Sequence, residues 1–155
     1  MNHTFHKQGF ISLFTVLLAT VILAIAVGMS SMALKQIVLT STADDANEAF
    51  YSADAGLQCA IMLDLDGAFQ TAGGQSEVTC GSVDNISIQG SDTTFILNEP
   101  NQEGFTWPNG NCVRIIIDKS SAVTEIEAFG YNVSCGDIEE TPRVVERALR
   151  VRYGG

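Results

Sequence analysis

The sequence predicts an α+β chain in which one long N-terminal helix lies across an antiparallel β-sheet. Three observations predict it. No charged residue occurs from Gln8 to Leu34. Apolar residues then recur mostly at steps of three and four as far as Leu65, with no Pro on the way. Beyond that point the chain breaks into short runs rich in β-branched residues, separated by Gly- and Asn-rich stretches.

The first element has membrane length. Phe10 to Met29 reads Phe-Ile-Ser-Leu-Phe-Thr-Val-Leu-Leu-Ala-Thr-Val-Ile-Leu-Ala-Ile-Ala-Val-Gly-Met. A helix needs roughly 20 apolar residues to cross about 30 Å of hydrocarbon. In hydrocarbon a single segment must be helical, because only then does it satisfy its own N–H and C=O groups. Lys7 precedes the run, Lys35 follows it, and every acidic residue lies further on. That bias predicts the N-terminus inside and the C-terminal part outside. A cleaved secretory signal has an apolar core of about 7–15 residues and a small-x-small site. This core is longer, and no such site follows Leu34.

The helix continues beyond the span. Ile37, Val38, Ala46, Ala49, Phe50, Ala53, Leu57, Ala60, Ile61 and Leu65 form the expected buried face. Asp44, Asp45, Asn47, Glu48, Asp54 and Asp64 fill much of the remainder. One helix of about 55 residues follows from this pattern. Gly28 and Ser30-Ser31 are positions where it can bend. Asp64-Leu-Asp-Gly67 reads as an acidic helix end with a Gly stop. A calcium loop would need later ligands that are missing.

After the Gly-containing stretch to Gln75 come the strands. Glu77–Cys80, Asn85–Ile88, Thr93–Leu97, Cys112–Asp118, Val123–Val133 and Arg143–Tyr153 are the expected ones. In the last, Val145, Leu149, Val151 and Tyr153 alternate with polar residues, the mark of a half-buried strand. Asn98 to Asn111 holds two Pro, two Gly and four Asn and reads as a long loop. Its Phe105 and Trp107 are expected to fold back over the core; a contact site is the alternative. Arg143, Arg147, Arg150 and Arg152 are expected to pair across strands with Glu125, Glu127 or Asp118. The alternative makes them a patch for a neighbouring subunit or an acidic ligand.

Composition excludes several functions. The chain has 155 residues, which suits one domain, and a net charge of −10. With 46% hydrophobic residues it is not a disordered chain. The acidic balance excludes nucleic acid as a partner, since phosphates require a basic face. Its two histidines, His3 and His6, precede the apolar run. Beyond that run no His is left to activate a Ser or Cys nucleophile. There is no Gly-rich phosphate loop and no H-E-x-x-H. The expectation is no enzyme, no cofactor and no metal. Four cysteines, Cys59, Cys80, Cys112 and Cys135, fit two disulfides in an exported domain. They allow three connectivities; pairing neighbours in sequence gives Cys59–Cys80 and Cys112–Cys135. Zinc would need close spacings such as C-x2-C, and there are none.

Three stretches carry a family resemblance. Lys7-Gln-Gly-Phe10 is a short basic leader ending in Gly, with Phe opening the apolar helix. It resembles the processing site of type IV prepilins and pseudopilins. Ala49-Phe-Tyr-Ser-Ala-Asp-Ala-Gly56 is similar to the Ala-Phe-x-Ala-Ala-Glu-Ala-Gly segment of PilX-type minor pilins, with Asp54 at the Glu position. Gly130-Tyr-Asn132 and Val145-Glu-Arg-Ala-Leu-Arg-Val151 look like the closing strands of such proteins.

The resemblance implies a bacterial pilin-like fold. It also implies cleavage by prepilin peptidase between Gly9 and Phe10 and N-methylation of Phe10. It divides the chain into a leader, 1–9, a transmembrane helix half, 10–34, and an extracytoplasmic pilin-like head, 35–155. The implied partners are other pilin subunits through the N-terminal helix, the inner-membrane assembly platform and the lipid bilayer. The implied location is the cytoplasmic membrane before assembly, then an extracellular filament used for adhesion, secretion or DNA uptake.

One position departs from the pattern. Most pilins carry Glu at the fifth mature position, where it neutralises a neighbour's N-terminal amine. Here that position is Phe14. Members that lack the Glu are minor ones, such as K-type pseudopilins, so the expectation is a minor pilin or pseudopilin at a tip or initiator position. The alternative is a single-pass anchor carrying an extracytoplasmic binding domain that never polymerises.

Overall fold

The computed structural model describes residues 8–69 and 76–154, without the side chains of residues 8–10, 31 and 34. Helix α1 covers Gln8–Leu65. Seven strands follow among the described residues: β1 Glu77–Cys80, β2 Val83–Gly90, β3 Thr94–Asn98, β4 Phe105–Thr106, β5 Cys112–Asp118, β6 Val123–Tyr131 and β7 Glu146–Gly154. The architecture is pilin-like: one long N-terminal helix packed against an antiparallel sheet. By contacts the chain divides into two units, Met1–Thr42 and Ala43–Gly155.

The second unit, the sheet unit, is built on β5. Its Val113, Ile115 and Ile117 are buried, while Arg114, Ile116 and Asp118 alternate onto the other face. Register carries that row to both neighbours. Ile117 faces Ile126 and Ile115 faces Ala128 on β6. On β3 the partners of Ile117 and Ile115 are Phe95 and Leu97. Phe69, Val78, Val83, Ile86 and Phe105 extend the core. Each fully buried aliphatic side chain contributes about 1.5–3 kcal/mol before entropy is subtracted. The strand order is β1-β2-β3-β5-β6-β7, every pair antiparallel, with β4 pairing to the start of β5.

The helix buries the small residues of the expected face and leaves its larger ones at the margin or exposed. Ala49, Ser52, Ala53, Gly56 and Ala60 are buried, and Leu57 and Ile61 pack at the margin. Phe50 and Leu65, expected inside, are 43% and 76% exposed. Ile37 and Val38 are also exposed. In the packed stretch of the helix the reason is distance. A Cβ on Gly130 of β6 would lie 2.1 Å from the Ala49 carbonyl oxygen and 2.4 Å from the Ala53 nitrogen. A Cβ on Gly56 would lie 2.6 Å from Val113 Cγ2. The helix therefore meets the sheet backbone to backbone, and only its smallest residues fit between. Ser52 is accommodated because its Oγ donates to the Cys112 carbonyl at 2.8 Å. Unpaired at 4% exposure, that hydroxyl would be costly.

The helix stops as its sequence predicts. Gly67 takes φ 79°, which a residue with a Cβ resists. Ala68 N–H then bonds the Leu63 carbonyl and Gly67 N–H the Asp64 carbonyl, a Schellman motif.

Asp64 has a second task. Its side chain is 7% exposed, pairs with Lys119 and accepts from Tyr153 Oη at 2.7 Å. This clasp joins the end of α1 to the β5–β6 turn and to β7. Burial first, then donation to Asp64, holds the Tyr153 phenol well above its ordinary value. Burial, then Glu146, raises Tyr131 likewise. A raised folded-state value contributes stability that is fully present below the unfolded value and lost as pH rises through the folded one. Stability should therefore fall above about pH 10. Tyr153→Phe should cost about 1 kcal/mol at neutral pH and flatten part of that alkaline fall. Denaturant melts at several pH values would test this; equal alkaline slopes in variant and wild type would refute it.

The Asn98–Asn111 stretch is not wholly a loop, because it contains β4. Phe105 is fully buried there, and Trp107 packs on the core at 5.0 Å between ring centroids. The pair covers the core. The last hairpin is shorter than the sequence pattern suggests. β6 ends at Tyr131 and β7 starts at Glu146. Between them Asn132 Oδ1 accepts from Val145 N–H at 2.8 Å, so Val145 bonds to a side chain just before the strand begins.

Candidate assembly and membrane helix

In the first unit the polar chemistry is what hydrocarbon requires. Backbone groups are satisfied along the helix, and its threonine hydroxyls turn inward. Thr15 Oγ1 donates to the Ser12 carbonyl at 2.9 Å and Thr20 Oγ1 to the Leu17 carbonyl at 2.8 Å. Such bonds remove the cost of carrying a hydroxyl into lipid.

The apolar side chains do the opposite. Ile11, Leu13, Phe14, Leu17, Val21, Ile22, Leu23 and Ile25 are all exposed. None of the most apolar 18-residue window is buried. Apolar surface on this scale exceeds what a soluble monomer exposes and requires a covering phase, lipid or protein. Among the described residues, α1 is the one helix long and apolar enough to cross a membrane.

Phe14 lies on this surface, 55% exposed. No carboxylate is available from the helix there, since the first acidic residue is Asp44. Gly9 and Phe10 fall within the helix by backbone, with side chains outside the described residues, and residues 1–7 of the expected leader lie outside them entirely.

The cysteines lie in the sheet unit. Cys59 of α1 is bonded to Cys80 of β1, and Cys112 of β5 to Cys135 in the turn after β6. The first bond fastens an edge strand to the helix. The second fastens the 132–145 connection to the sheet centre. No group of three or more His, Cys, Asp or Glu among the described residues is placed to hold a metal.

The arginines separate into two pairs. Arg150 bonds Glu125 at 3.0 Å and also pairs with Glu127, while Arg152 bonds Glu125 at 2.7 Å. These are the expected cross-strand partners, through the register Glu125↔Arg152 and Glu127↔Arg150. Being solvent-exposed, each contributes under about 1 kcal/mol. Asp118 instead accepts from Ser120 N–H, which lowers its carboxyl below the ordinary range. Arg143 and Arg147 enter no ion pair among the described residues.

Sequence reasoning missed a groove on the outer sheet face. The sheet face away from the helix carries a groove of about 550 Å³ floored by Ile96, Ile116 and Phe129. Arg114 lies at its rim, paired with Glu103. Alternation in β3, β5 and β6 predicts where these side chains point, but the groove depends on the Glu103 loop. That loop's position rests on Asn98 Oδ1 accepting from Gly104 N–H at 2.8 Å. No family model, curated protein or solved structure matches the chain.

Proposed function

We propose that the chain is a minor pilin or pseudopilin, a structural subunit of a type IV pilus or type II secretion-like filament, acting at its tip or in its initiation. One observation carries the reading. A single helix is uncovered and apolar in its first part, yet packed on a sheet in its last. A soluble domain has no use for the first part, and a plain anchor does not need it continuous with the core helix of the sheet unit. A filament subunit uses both: the apolar part waits in lipid, then packs against other subunits' helices.

On this reading prepilin peptidase cuts between Gly9 and Phe10, Phe10 is methylated, and the sheet unit lies outside the cytoplasmic membrane. The role is assembly and display, with no catalysis. Phe14 supports the low-copy role, because without a carboxylate there the helix offers nothing to neutralise a neighbour's N-terminal amine.

Intact mass and N-terminal residue of the protein from its native membrane test the reading. A chain beginning at methylated Phe10 is expected. A chain beginning at Met1 would leave a single-pass anchor with an extracytoplasmic domain. Phe14→Glu is the second test, with copies per filament counted against wild type. We expect the variant to enter filaments in greater number; unchanged assembly and copy number would refute the argument from that residue.

A further inference from the structure

The sheet unit carries a slot of about 410 Å³ between α1 and the turn that follows β4. Glu48, Tyr51 and Ala55 form its helix wall, and Trp107, Pro108 and Asn109 the other. The walls are held firmly. Trp107 N–H bonds the Asn111 carbonyl and Gly110 N–H bonds the Trp107 carbonyl, both at 2.8 Å. Gly110 takes φ +92°, which permits so tight a turn. Phe105 sets the indole edge-to-face, and the Ser52–Cys112 bond ties the helix to β5.

The chemistry of the walls selects a ligand. Tyr51 is 69% exposed; its ring meets Phe50 edge-to-face at 5.8 Å between centroids and otherwise stays open to solvent along the slot. Glu48 enters no ion pair among the described residues. Asp44 and Asp45 stand one turn before it. An aromatic pair beside an unpaired carboxylate, in an acidic surface, suits a cation with a flat or apolar body. An anion would be repelled, and a neutral sugar would leave the carboxylate unmatched.

We propose that this slot binds a basic side chain, arginine or lysine, presented by a neighbouring protein subunit. The filament reading is needed only for the source of that side chain. The binding is testable without it.

Trp107 is the only tryptophan, so its emission reports on the slot alone. The full chain in detergent micelles would be titrated with arginine amide at constant ionic strength, with sodium acetate and glucose as comparison probes. A saturable change with arginine amide only is expected. The midpoint should rise about fivefold in Glu48→Gln, and Tyr51→Ala should weaken binding similarly. Both positions are exposed, so both variants should keep the wild-type near-ultraviolet dichroism. A response linear in arginine amide, equal midpoints in wild type and Glu48→Gln, or saturation by glucose would each overturn the proposal. The N-terminal mass decides the filament reading separately, so the two ideas can fail independently.

Discussion

Gly130→Ala should destabilise the sheet unit by about 3 kcal/mol, lowering its melting temperature by roughly 10 °C. The added Cβ would meet backbone atoms of Ala49 and Ala53 at 2.1 and 2.4 Å. Backbone cannot rotate away as a flexible side chain can. The helix must therefore retreat from β6 by roughly an ångström, to ordinary van der Waals separation. The retreat opens the seam along Ala49, Ser52, Ala53, Gly56 and Ala60, and it stretches the Ser52–Cys112 bond. Interiors are packed closely enough that such a gap is felt along its whole length. Gly136→Ala is the control, since a Cβ there meets nothing within 4 Å. It should change stability by no more than about 0.5 kcal/mol. Melting the full-length protein in micelles, followed by the near-ultraviolet signal of Trp107, compares the two. Equal melting temperatures would mean that the tight helix–sheet seam is not a source of stability.

That seam also explains which parts of the fold were legible in the sequence. The helix was legible throughout, because an uncharged run and a three–four period are local properties. Its buried face was legible in part: Ala49, Ala53 and Ala60 are buried and Leu57 and Ile61 pack at the margin as expected, while Phe50 and Leu65 are exposed. Hydrophobicity points to Phe50 and Leu65, but the face is selected by how closely β6 approaches, and Gly130 sets that approach from some 80 residues away. The small-residue series Ala49, Ala53, Gly56 was the legible part, because residues this small let a sheet pack closely, and the sheet does.

The strands were legible where alternation was strong, as in β5. They were misjudged where side-chain bonds define the ends, as at Asn132 and Val145. The candidate surface was legible for the same reason as the span: exposure of Ile11 to Ile25 needs no partner element to predict. The slot was not, because Tyr51 and Trp107 are 56 positions apart and meet only through the turn after β4. Nor does sequence decide among three disulfide connectivities; the fold does, by placing β1 beside the helix end and the 132–145 connection beside β5.

Those two bonds set the second large expected effect. Each closes a loop of similar size, with sequence separations of 21 and 23. In the chain-entropy account each then contributes about 3 kcal/mol by restricting the unfolded chain. Their structural consequences differ. Cys59→Ala with Cys80→Ala loosens β1, an edge strand that among the described residues pairs with β2 alone and is otherwise held by Val78 in the core. Cys112→Ala with Cys135→Ala frees the 132–145 connection, while β5 keeps its pairing to β3, β4 and β6. Hydrogen exchange should therefore quicken in β1 and β2 for the first variant and in 132–145 for the second. Each variant alone should remain folded. Removing both bonds costs about 6 kcal/mol, comparable to the whole stability of a typical domain, so the fourfold variant should lose its cooperative melt. A fourfold variant that melts like wild type would show that the α1–sheet seam and the aliphatic core suffice. The cysteines would then need another reason to be there.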